Sequence, residues 1–171
     1  RIILNNISSN FILFDNEDKN LAFINQDNKF DDEIIINIEQ FKLRVEEIRL
    51  SLNKLIRNLL KKYPLLYGYS APAKTVTLLS LLDKDVIKKL EFIIEDNNLK
   101  QGHYIPKTKI PLISLNNAVK KIDNRNSACI IFAWNMFDEL SKKIMSNPQL
   151  NPNVLICPLP YPKIIDIDCA N

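Results

Sequence analysis

The chain has 171 residues, of which 46% are hydrophobic and 25% charged, the balance of a globular protein with room for one sizeable core. Its 23 Lys and Arg against 20 Asp and Glu leave a net charge of +3, dispersed along the sequence, whereas a nucleic-acid partner asks for a concentrated basic face. No apolar run approaches the roughly 20 residues of a membrane span, and the amino-terminal residues do not read as a signal sequence. A cytoplasmic protein with neither a nucleic-acid nor a membrane partner is the expectation.

The three cysteines, Cys129, Cys157 and Cys169, are widely spaced with no C-x-x-C. That supports neither a disulfide framework nor a zinc site, and no metal is assigned. Cys129 and Cys157 fall in strand-like runs, where a cysteine behaves as a small buried hydrophobe. Asn, Ile and Lys abound while glycine is limited to Gly68 and Gly102, a usage that matches AT-rich coding and lets glycines drift to other residues. The abrupt start at Arg1 suggests a piece of something longer.

In chain order, residues 1–36 carry short apolar runs (Phe11-Ile12-Leu13-Phe14, Leu21-Ala22-Phe23-Ile24, Glu33-Ile34-Ile35-Ile36) separated by Asn, Asp and Lys. This pattern predicts a small β appendage packed on the rest of the chain. Asn37, with Gln40 as a capping-box partner, opens a long bracing helix over 37–63. Ile38, Phe41, Val45, Ile48, Leu52, Leu55 and Leu59 form one apolar stripe along it at spacings of three and four, and Pro64 ends it.

From residue 64 to 171 strands and helices alternate. The pattern predicts strands over 65–69, 91–95, 128–133 and 154–157, with helices over 73–82, 115–121 and 136–146. Near-continuous apolar strands such as Ile130-Ile131-Phe132-Ala133 suit a parallel sheet covered on both faces. The fold class is therefore α/β: a three-layer, Rossmann-like domain with a mainly parallel sheet and right-handed crossovers, preceded by the small β segment and the long helix.

Three segments could carry chemistry. In Gly68-Tyr69-Ser70-Ala71-Pro72-Ala73-Lys74 a strand turns through small residues into a helix, where unpaired N–H groups and the Lys74 ammonium can receive a phosphate. Pro72 suits a helix start. The alternative is that Gly68 and Ala71 only permit tight strand-to-helix packing. After the second strand, Glu95 and Asp96 stand where doubly wound folds place an acid for a ribose hydroxyl, and Asn97, Lys100, Gln101, Gly102 and His103 come next. The lone histidine invites a general-base role, but no partner carboxylate or nucleophile is identifiable by spacing, so no catalytic residue is assigned and His103 is read as binding or structural. After the third strand, Asn135 can cap the next helix and Asp138 and Glu139 suit its first turn. Trp134, the only tryptophan, is read equally as a base-stacking crevice wall and as core.

These segments, Gly68-Tyr69-Ser70-Ala71-Pro72-Ala73-Lys74-Thr75, Asp96-Asn97-Asn98-Leu99-Lys100-Gln101-Gly102 through Ile110-Pro111-Leu112, and Ala133-Trp134-Asn135-Met136-Phe137-Asp138-Glu139-Leu140, resemble in order and spacing the carboxy-terminal domain of the S-adenosylmethionine-dependent sugar C-methyltransferases. The family patterns are G-Y-G-A-P-A-K-G, D-x-N-x-x-K-Q-G-x-x-x-P-G-T-x-I-P-I and A-W-N-F-x-x-E-I. The likeness is good over 44–156 and poor before it. Family glycines stand here as Ser70, Thr75 and Lys107, and a family H-G-G-S is at best Ile7-Ser8-Ser9-Asn10.

The resemblance implies a domain that holds a nucleotide-diphosphate sugar in deoxysugar or glycan biosynthesis. Gly68, Tyr69, Ser70, Ala71, Lys74, Asp96, Asn97, Lys100, Gly102, His103, Trp134 and Asn135 would be its substrate-binding residues. S-adenosylmethionine would belong to a missing methyl-donor-binding domain, a partner in cis or in trans, so the parent is expected to be a methyltransferase and this chain alone inactive. The alternative is a stand-alone or fused nucleotide-sugar-binding module without catalysis. A nicotinamide-dependent oxidoreductase would need G-x-G-x-x-G at the first turn, which Gly68-Tyr69-Ser70 does not supply.

Overall fold

The computed structural model describes the backbone of residues 17–122 and 126–167, and the side chains of these from residue 37 onward. Two compact units are distinguished, Arg1–Val45 and Glu46–Asn171. The elements in order are α1 (Glu17–Lys62), β1 (Leu65–Tyr69), α2 (Thr75–Leu79), α3 (Lys84–Ile87), β2 (Leu90–Ile94), β3 (Leu112–Ile113), α4 (Leu115–Ile122), β4 (Ser127–Ile131), a 3₁₀ turn (Trp134–Met136), α5 (Phe137–Met145), β5 (Val154–Cys157) and β6 (Lys163–Asp166).

The expected β appendage is corrected over its second half. Leu21-Ala22-Phe23-Ile24 and Glu33-Ile34-Ile35-Ile36 lie within α1, which starts at Glu17, twenty residues before the cap foreseen at Asn37. The run at 11–14 lies outside the described residues, as does Cys169. The physical reason is the absence of any breaker: no Gly or Pro occurs in the 46 residues of α1, and Asn or Asp inside a helix costs only about 0.7 kcal/mol each. The apolar stripe is also only half used. Leu52 is fully buried and Leu55 and Leu59 pack partly buried on the core, joined by Ile56, which the stripe left out, whereas Ile38 and Phe41 are 48% and 68% exposed.

Six strands form one sheet in the order β3-β2-β1-β4-β5-β6. All neighbours are parallel except β5 and β6. In β1 and β4 every residue is buried, as a sheet covered on both faces requires. Alternate side chains feed two cores. Leu66, Ile93, Ile130 and Phe132 meet Leu52 and Ile56 of α1 together with Leu78, Leu79 and Val86 of α2 and α3. Leu65, Tyr67, Phe92, Cys129 and Ile131 meet Ala118 and Ile122 of α4 and Phe137, Leu140 and Ile144 of α5. Both Cys129 and Cys157 are buried thiols.

The buried Asn53 ties α1 to the first of these layers. Its Nδ2 donates to the carbonyls of Arg49 and Leu81, and its Oδ1 accepts from the Asp83 N–H at 2.7 Å. Arg49 and Arg57 close on Asp83 nearby, Arg57 also on Asp85. The strands foreseen at 65–69 and 154–157 stand as read, and those at 91–95 and 128–133 begin one residue earlier and end sooner. The helix foreseen over 73–82 is shorter, only Thr75–Leu79, with α3 after it. Unforeseen are β3, two residues long, and β6, an edge strand whose residues are exposed or half-buried. Neither carries the apolar run by which a buried strand announces itself.

Candidate functional site

Strand order reverses between β1 and β4, since β2 and β3 lie on one side of β1 and β4 and β5 on the other. In such sheets the loops leaving the carboxyl ends of the strands on either side of the reversal part from each other and leave a crevice. Here those loops are residues 70–74 and 132–136. Lys74 from the first holds its Nζ 5.8 Å from the ring centroid of Trp134 in the second, within cation–π range. Lys74 is exposed and Trp134 half-buried, packed against both cores.

The turn after β1 has the left-handed residue that a family glycine would supply: Ser70 adopts φ 64°. Its N–H donates to the Ile94 carbonyl at 2.8 Å. The Ala71 N–H donates to Glu95 Oε2 at 3.0 Å, and the Thr75 N–H to the Pro72 carbonyl. Three amides of the turn, those of Ser70, Ala71 and Thr75, are thus held by partners of the fold, and α2, at five residues, offers little dipole. The exposed Lys74 ammonium is the cation of this turn. Gly68 lies inside β1, where an added Cβ would stand 2.5 Å from Phe132 Cε2 and 2.9 Å from Ile93 Cγ1. Its role is close packing. Thr75, at another family-glycine position, is buried.

The loop after β2 is held by Glu95. This buried carboxylate accepts the Ala71 and Asn97 N–H groups at 3.0 Å each, and Lys100 Nζ stands 3.5 Å from it while donating to the Ala71 carbonyl at 2.9 Å. Gln101 donates to the Glu95 carbonyl. Asn97 Oδ1 accepts the Leu99 N–H, a local turn. Gly102 takes φ 81° and donates to the Leu112 carbonyl, and Lys107, another family-glycine position, takes φ 61°. His103 is exposed, its Nδ1 3.3 Å from the Gln101 carbonyl. Asn97, Lys100 and Gly102 shape the loop and join it to the first turn.

Asp96 turns to the opposite face. It accepts the Tyr69 hydroxyl at 3.0 Å and the Lys143 ammonium of α5 at 2.8 Å, with that ammonium 5.7 Å from the Tyr69 ring centroid. Burial raises the Tyr69 phenol above its ordinary value although Lys143 pulls it down, and the Asp96 partnership raises Lys143. Lys143 lies outside all three motifs, 47 positions from Asp96, a separation that leaves no local signal in the sequence.

The third segment lines a cavity of about 500 Å³ at the carboxyl ends of β4 and β5. Its walls are Trp134, Asn135, Met136, Phe137, Asp138, Glu139, Cys157, Leu159, Pro160 and Lys163, and neither Lys74 nor Asp96 is among them. Lys74 meets Trp134 at the crevice, and Asp96 belongs to the Tyr69–Lys143 cluster. Asn135 does not cap α5. The capping position is Met136, without a side-chain hydrogen bond, because the intervening 3₁₀ turn moves Asn135 one residue outside the helix. Among the described residues no three His, Cys, Asp or Glu side chains are grouped to hold a metal ion, and no helix is long and apolar enough to cross a membrane.

No curated protein matches the chain. A family model described as the C-methyltransferase C-terminal domain matches residues 16–160, which takes in all of α1 and everything through the Leu159–Pro160 wall of the cavity while leaving out β6. With that match over most of its length, and an α/β sheet bearing the three motifs at one edge, the chain belongs to the C-methyltransferase C-terminal domain family.

Proposed function

We propose that this domain binds a nucleotide-diphosphate sugar in deoxysugar or glycan biosynthesis, and presents the sugar to a methyl donor, S-adenosylmethionine, held by another domain in cis or in trans. The observation that carries the reading is the Lys74–Trp134 pair at the strand-order reversal. A cation and an aromatic face from the two loops flanking the crevice suit a ligand that is anionic at one point and aromatic at the next.

The two acids at the end of β2 are not free to hold the methyl donor. The acid that would take its ribose hydroxyl, Glu95, is buried and engaged by Ala71, Asn97 and Lys100, and Asp96 is engaged by Tyr69 and Lys143. This supports a division of labour in which the chain holds substrate and leaves the transfer to its partner domain, in the cytoplasm.

Calorimetric titration with thymidine, uridine and guanosine diphosphates tests the reading. Binding is expected, with Lys74→Ala weakening it by about 1.5–3 kcal/mol, the range of a charge-assisted contact. Unchanged affinity in Lys74→Ala would move the phosphate elsewhere. Incubation of the chain alone with S-adenosylmethionine and nucleotide-4-keto-sugars should yield no S-adenosylhomocysteine above a blank, and its appearance would refute the division of labour.

A further inference from the structure

We infer that Lys100 is a positioning residue for Lys74: from the loop after β2 it grips the turn after β1, and so sets where the Lys74 ammonium stands against Trp134. For the phosphate at Lys74 this rests on the nucleotide-sugar reading above. It gives Lys100 a task within the fold and none on the ligand.

The grip closes on a single residue, Ala71, from both of its polar groups. The Ala71 N–H donates to Glu95 Oε2 at 3.0 Å, and the Ala71 carbonyl accepts Lys100 Nζ at 2.9 Å, across 29 positions of sequence. Lys100 Nζ also stands 3.5 Å from that same Oε2, and among the described residues it is the cation paired with this buried carboxylate. Glu95 is fixed in turn, since its Oε1 accepts the Asn97 N–H at 3.0 Å and its carbonyl accepts Gln101 Nε2 at 2.8 Å. Removing the ammonium takes the counter-charge from a buried carboxylate and this donor from the Ala71 carbonyl in one step.

From Ala71 to Lys74 the path is short and stiff. The ring of Pro72 fixes its φ, the Thr75 N–H donates to the Pro72 carbonyl at 2.9 Å, and Lys74 takes helical angles, φ −73° and ψ −7°. On the other side Ser70 stands at φ 64°, a conformation that serine disfavours, so the turn depends on a hold from outside itself. A displacement of Ala71 therefore carries Lys74 along. The Lys74 ammonium, 5.8 Å from the Trp134 ring centroid, is close to the roughly 6 Å limit of a cation–π contact, where a small shift breaks it. Lys100 acts through Ala71, because its own ammonium is directed at two oxygens of the fold.

The test is a double-mutant cycle of Lys100→Met and Lys74→Ala, read in two ways. Trp134 is the only tryptophan, so emission of the ligand-free chain reports on the charge over its ring. Calorimetry with uridine diphosphate and with inorganic pyrophosphate reports on binding. Lys100→Met is expected to shift the emission in the direction of Lys74→Ala and to add nothing further in the Lys74→Ala background. It should weaken uridine diphosphate fivefold or more in the wild-type background and less than twofold once Lys74 is gone. Where circular dichroism shows that Lys100→Met does not fold, Lys100→Gln takes its place in each assay. Emission unchanged by the Lys100 substitution overturns the inference. So does an equal loss of affinity in both backgrounds, which puts Lys100 on the ligand itself and leaves the phosphate reading standing. If the wild type binds neither ligand, the nucleotide-sugar reading falls, and the emission of the four proteins still decides whether Lys100 places Lys74.

Discussion

Gly68 lies directly beneath Phe132: a methyl group at its Cα would come 2.5 Å from Cε2 and 2.9 Å from Cδ2 of the ring, with Ile93 Cγ1 at 2.9 Å on the other side. Phe132 and Ile93 are both buried and have no free volume into which to retreat. Gly68→Ala should therefore destabilise the chain by about 1–3 kcal/mol. Urea unfolding measures it. A midpoint equal to that of the wild type would mean that the Phe132 ring turns aside at no cost.

Ser70 presents the opposite case. With φ at 64° its Cβ crowds the following carbonyl, a conformation costing an ordinary L-residue about 1–2 kcal/mol. Ser70→Gly removes that strain and returns part of the gain as unfolded-state entropy, so a net stabilisation of about 0.5–1 kcal/mol is expected. The same substitution at Lys107, φ 61°, should act in the same direction. Melting temperatures below the wild type for both variants would show that the two side chains contribute more than their backbone strain takes away.

Glu95 is the joint between the loops after β1 and β2. Glu95→Gln keeps the shape but replaces one accepting oxygen by an amide that cannot accept from an N–H, opposing either the Ala71 or the Asn97 donor. The expected loss is about 1.5–3 kcal/mol, the range for a buried hydrogen bond to a charged group. Amide exchange should accelerate at Ala71 and Asn97 together. Acceleration at only one of them would show that the two loops are held independently.

Stability should fall in alkali. Burial raises the thiols of Cys129 and Cys157 and the phenols of Tyr67 and Tyr69, and hydrogen bonding to Asp96 raises Lys143. A group whose folded pKa lies above its unfolded one binds more protons in the folded state. Its contribution is complete below the unfolded pKa and is lost as pH rises through the folded value. Ordinary cysteine titrates near ~8.5 and tyrosine near ~10, so the melting temperature should hold through neutral pH and decline above about pH 9. A melting temperature rising between about pH 9 and 11 would contradict the placement of these groups.

The sequence by itself determined the alternation of strand and helix from residue 65 onward, because fully buried parallel strands must be continuous apolar runs, and Leu65–Tyr69 and Val154–Cys157 are such runs. It also marked Ser70 as a family-glycine position, where the structure has a left-handed turn, and brought Lys74 and Trp134 to one edge, since every parallel strand ends on the same side. It misjudged residues 21–36, where apolar runs broken by Asn and Asp serve a helix that lacks breakers as readily as strands. Only the tertiary structure decided what the acids do. Glu95 and Asp96 are neighbours in sequence, yet successive side chains leaving an extended backbone point to opposite faces. One therefore closes two loops with Ala71, Asn97 and Lys100, and the other meets Lys143, 47 residues away, on the face covered by α5. A carboxylate's partner is set by which helix covers which face of the sheet, and no local pattern in the chain records that choice.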